Sequence, residues 1–64
     1  MAAFVLSTPI DSLRCGSMEE ALETAQEDYP QMILGPPHNG RVPIYADKAS
    51  QNIGLVAVWL REVA

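Results

Sequence analysis

Ile53-Gly54-Leu55-Val56-Ala57-Val58-Trp59-Leu60 is the most apolar stretch of this chain, and its reading decides the fold. Ile53, Val56, Ala57, Leu60 and Val63 fit helical spacing. A strand is nevertheless the better reading. Ile53, Val56 and Val58 are β-branched, Trp59 favours strands, and Gly54 weakens a helix by about 1 kcal/mol relative to Ala. In a strand, Ile53, Leu55, Ala57 and Trp59 point one way, while Gly54, Val56, Val58 and Leu60 point the other. Both rows are apolar. Burying one Val or Leu side chain is worth about 1.5–3 kcal/mol, so both rows call for cover.

Upstream, Val42–Ala46 reads as another strand, and Pro43, which has no amide to donate, places it at an edge or a bulge. Asp47–Asn52 between the two reads as a polar turn. Gly35–Gly40 is dense in breakers and forms a loop, with Asn39-Gly40 suited to the positive φ angles of a tight hairpin. Gln31–Leu34 is a brief strand. Ser17-Met18-Glu19-Glu20 is a capping box, with Ser17 accepting from the Glu20 amide and Glu20 reaching back to the Ser17 amide. Met18, Ala21, Leu22 and Ala25 then form a helical apolar stripe, which Pro30 ends near Asp28. Ala2–Leu6 reads as the first strand, and Thr8–Gly16 as a connector whose Leu13 turns into the core. The expected fold is therefore α+β: a single small domain over 1–64, ordered β-α-β-β-β, with one helix packed on one face of an antiparallel sheet. One helix covers one face. The row Val56, Val58 and Leu60 is then left for a second copy, which predicts a homodimer interface.

The chain has 64 residues, and a domain of that size is marginal without a staple. One cysteine, Cys15, cannot close an internal disulfide, and with the single His38 it cannot complete a structural zinc site. No metal and no cofactor are expected. Eight acids against four bases give a net charge of −4, which argues against direct contact with nucleic acid and for a partner protein with a basic surface. No stretch approaches the roughly 20 apolar residues of a membrane span, and the N-terminal run lacks the basic region of a signal peptide, so a cytoplasmic protein is expected.

Candidate site residues follow from this pattern. Glu19, Glu23 and Glu27 form an uncompensated carboxylate row along the helix, fit for docking on a basic protein. His38, Asn39 and Arg41 lie on a rigid loop that can make contacts. Cys15 and His38 could form a nucleophile–base pair only if the fold joined them, and no catalytic residue is assigned. Tyr45 and Trp59 read as core or interface anchors rather than base-stacking platforms, for want of nearby positive charge. The reading is a non-enzymatic protein-binding module, an inhibitor or adaptor. In character it resembles the small acidic proteins of phages and mobile elements that block host machinery by binding it, a genre without a shared motif. One version is a phage-encoded anti-defence inhibitor. The alternative is a homo-oligomer with small-molecule or nucleotide pockets between subunits, where Arg14, Arg41 and Arg61 could converge.

Overall fold

The structure, a computed structural model, describes residues 3–63. It is α+β, as expected: a five-stranded antiparallel sheet with one long and one short helix. The chain order is β1 (Ala3–Ser7), β2 (Ser12–Cys15), α1 (Met18–Asp28), β3 (Ile33–Leu34), β4 (Arg41–Tyr45), α2 (Lys48–Asn52) and β5 (Val58–Val63). Across the sheet the strands run β2-β1-β5-β4-β3. Ala2, placed in the first strand from sequence, lies outside the described residues.

The connector expected at Thr8–Gly16 holds a strand of its own. Thr8 and Asp11 close a turn: the Thr8 amide donates to the Asp11 carbonyl at 2.8 Å, and the Asp11 amide donates to Thr8 Oγ1 at 3.1 Å. That turn lets Ser12–Cys15 fold back on β1 in register, Ser7 opposite Ser12 and Phe4 opposite Cys15. Leu13 points to the helix side but lies on the edge strand beyond the cover of α1, and stays 51% exposed rather than entering the core.

Helix α1 matches its sequence signal. Ser17 Oγ accepts from the Glu20 amide at 3.1 Å. Glu20 reaches back one residue further than the motif suggests, to the Gly16 amide at 3.0 Å. Ala21 and Ala25 are buried and face the sheet. Beneath them lie Leu6, Cys15, Ile44, Val58 and Leu60, with Phe4, Leu22, Tyr29, Met32, Val42 and Ala57 packed around this core.

Two further expectations are corrected. Asp47–Asn52 is a short helix rather than a turn, because Asp47 Oδ1 accepts from the Ser50 amide at 2.8 Å and caps it. The last strand begins at Val58 rather than Ile53 and runs on to Val63. Gly54 adopts a φ of +73°, and the amides of Gly54 and Leu55 turn back to the carbonyls of Gln51 and Ser50. This local closure keeps Ile53–Val56 out of the ladder and leaves Ile53 and Leu55 exposed, whereas the Ala57 amide donates to the Ile44 carbonyl at 2.9 Å and leads into β5.

Pro43 is not on an edge strand, since β4 lies between β5 and β3. The Pro43 carbonyl accepts from the Gly35 amide at 2.9 Å, so its imino side also faces β3. The β3 ladder ends at Leu34, one residue before Gly35, to whose carbonyl Pro43 has no N–H to return. Gly35 is required there, because a Cβ would come within 2.8 Å of Pro43 Cγ and 2.9 Å of Tyr45 Cε2.

Candidate functional site

Strand alternation divides the sheet into two faces of different character. Phe4, Leu6, Leu13, Cys15, Val42, Ile44, Val58 and Leu60 belong to the face that carries α1. Val58 and Leu60, expected at a homodimer interface, are 5% and 1% exposed within this chain's own core. Their burial needs no second copy. The expected alternation over Ile53–Leu60 holds only from Val58, and there α1 covers Val58 and Leu60 and leaves the Trp59 row open. Val56, the third interface residue, is half-buried in the segment before β5.

The opposite face has a distinct composition. Cross-strand register aligns Arg14 on β2, Val5 on β1, Arg61 on β5 and Arg41 on β4 in one row. With strands about 4.8 Å apart, this row spans about 14 Å. The next row holds Ser12, Ser7, Trp59 and Pro43. Tyr45 and Ile33 continue the same face toward the β3 edge. The three arginines are exposed, whereas Val5, between Arg14 and Arg61, and Pro43, opposite Trp59 in the next row, are buried and form an apolar floor. The Arg41 guanidinium stacks over the Trp59 ring, 4.9 Å from its centroid. Among the described strand positions of this face there is no carboxylate. Arg41 stands directly opposite Arg61, a like-charge pair that costs stability.

The acids lie elsewhere. Glu19, Glu23 and Glu27 are exposed on the outer side of α1, with Glu20 and Asp28, and no base lies on that helix. The fold thus keeps a carboxylate layer on one side of the sheet and an arginine row on the other.

The expected contact loop is partly explained by its own geometry. His38 and Arg41 exchange two backbone hydrogen bonds, at 2.7 and 3.0 Å, around a two-residue turn. Asn39 and Gly40 take φ angles of +53° and +77°, the conformation such a turn demands. His38 and Asn39 are exposed, and Arg41 alone joins the sheet face.

Cys15 is buried on edge strand β2, whereas His38 lies beyond β4 on the other side of the sheet, so the two are not brought together. Among the described residues no group of three or more His, Cys, Asp or Glu is placed to hold a metal, and no helix is long and apolar enough to cross a membrane. A groove between α1 and the β1–β2 turn, lined by Thr8, Leu13, Thr24 and Tyr29 among others, encloses about 220 Å³. That is less than the roughly 300–1,000 Å³ of a typical small-molecule pocket.

The sequence brings Arg14, Arg41 and Arg61 together only across subunits, and does not show that they share one face of a single chain with Trp59. The available signal was the alternation Ser12-Leu13-Arg14-Cys15 behind the Pro9 turn, which marks a strand and fixes Arg14 in register with Arg61 through β1. Comparison with protein-family models, with curated proteins and with solved structures returns no match for this chain.

Proposed function

We propose that this chain is a protein-binding module, an inhibitor or adaptor that acts by surface contact rather than by catalysis. The observation that supports this reading is the separation of charge across the sheet: carboxylates along α1, arginines on the reverse. The outer face of α1 offers Glu19, Glu23 and Glu27 over about 12 Å of helix, at 1.5 Å per residue, to a basic surface on another protein. Carboxylates at that pitch could stand in for phosphates. In that form, the module would be a phage-encoded inhibitor of a host complex that binds nucleic acid, acting in the cytoplasm.

The test is capture from a lysate of the source cells, with partners identified by mass spectrometry. The wild-type chain should retain a protein with a basic surface, with an association rate that falls as salt rises. The triple variant E19K/E23K/E27K should lose both. Unchanged capture by the triple variant overturns the role of α1.

A second reading, anionic small-molecule binding, draws on the convergence of Arg14, Arg41 and Arg61 within one chain. A nucleotide that bound there would raise the melting temperature in proportion to its occupancy.

A further inference from the structure

Three arginines in one row require a reason beyond folding. The Arg41–Arg61 pair opposes like charges in a small domain, and no carboxylate among the described strand positions of this face relieves them. Around the row lie Trp59 and Tyr45, with Val5 and Pro43 as the buried floor. Arg, Trp and Tyr are the residue types that dominate binding hot spots. Trp59 is already partly desolvated beneath Arg41, which lowers the cost of ordering either side chain on binding.

We infer that this open sheet face docks an acidic segment of another protein, whose carboxylates engage Arg14, Arg61 and Arg41. Charge complementarity identifies the occupant. A guanidinium presents a planar fork that matches a carboxylate with two parallel hydrogen bonds. A symmetric second copy fits poorly, because a two-fold interface presses the same patch against itself and opposes the arginine rows. Single-stranded nucleic acid fits less well than a peptide. Its sites follow a positive groove over several nucleotides, whereas this row ends after about 14 Å on a chain of net charge −4. This inference does not rest on the role proposed for α1. Together, the two surfaces make the chain an adaptor between a basic and an acidic partner rather than a one-sided inhibitor.

The test is fluorescence anisotropy with the full chain and three probes: a labelled oligo-glutamate peptide, an oligo-lysine peptide of equal length and an oligo-thymidylate. The glutamate peptide should bind saturably at low salt. The double variant R14Q/R61Q should bind it at least about tenfold more weakly, the effect of losing about 1.4 kcal/mol. Its circular dichroism should match wild type and its melting temperature should be no lower, because the Arg41–Arg61 repulsion is gone, and E19K/E23K/E27K should bind the peptide no more weakly than wild type. If R14Q/R61Q does not fold, the single variants R14Q and R61Q provide the discrimination, since each must bind the glutamate peptide more weakly than wild type.

Absence of glutamate-peptide binding overturns the inference, as does equal binding by R14Q/R61Q. Tighter binding of oligo-thymidylate assigns the face to nucleic acid. Self-association of the unliganded chain that R14Q/R61Q abolishes assigns it to a second copy. Either of the last two results also overturns the inference.

Discussion

Leu60 and Arg61 are neighbours on one strand, and they belong to different regimes. Leu60 is 1% exposed beneath α1, among Leu6, Ile44 and Val58. Arg61 lies on the face that no long helix covers, opposite another arginine. One residue of displacement along β5 separates a side chain that holds the fold together from one that the fold tolerates. Stability belongs to the covered face and, on the inference above, binding to the open one, so substitutions should sort by face rather than by position in the chain.

The largest effect should come from the covered face. Leu60→Ala should cost about 2–5 kcal/mol, which is most of the stability of so small a domain. Urea denaturation should show a largely unfolded variant. A loss below about 1 kcal/mol would mean that α1 does not cover this row. Gly35→Ala comes next, because its Cβ would meet Pro43 and Tyr45 at less than 3 Å. Overpacking of this kind costs about 1–3 kcal/mol, read as a shift in the urea midpoint. Ser17→Ala removes the α1 cap and should cost about 1 kcal/mol.

The open face should respond in the opposite direction. Arg61→Glu replaces a like-charge pair with an opposite-charge pair across from Arg41, and should stabilise the sheet by about 0.2–1 kcal/mol. The same change should weaken capture of acidic peptide, so stability and binding move apart. Destabilisation by this variant would show that Arg61 serves the fold.

The smallest effect is one of pH. The Ser50 backbone amide, followed by its hydroxyl, holds the Asp47 carboxyl below its ordinary value of 3.8. A lowered value in the folded state means that the α2 cap contributes fully above pH 3.8 and fades as pH falls through the folded value. The protection of the Ser50 amide, its exchange rate relative to that of an unstructured amide at the same pH, should fall in acid before that of the α1 amides.

The sequence made α1 legible from end to end, because capping, periodicity and a following proline all agree from Ser17 to Pro30. The turn at Asn39-Gly40 was equally clear, since few residue pairs accept positive φ at both positions. Three features were hidden for physical reasons. Strand β2 is only four residues long and at an edge, so its alternation is too brief to stand out from the connector around it. Asp47 caps a helix of only five residues, too short to show a periodic stripe. Ile53–Val56 has the composition of a strand, and the backbone closure at Gly54 and Leu55 turns it away from the sheet. The acidic row could be read because a helix places it locally. The arginine row could not, because its members lie on three strands and meet only through register.

Trp59 is the single tryptophan, and it sits on the open face beneath Arg41. Its fluorescence therefore reports the local field without need of a partner. Quenching by iodide and by caesium at equal ionic strength compares an anion with a cation at that point. The chain carries a net charge of −4, which by itself would attract caesium and repel iodide. An open, locally positive sheet face predicts the reverse: iodide should quench Trp59 more strongly, and R14Q/R61Q should remove the difference. Stronger quenching by caesium in the wild-type chain would contradict it.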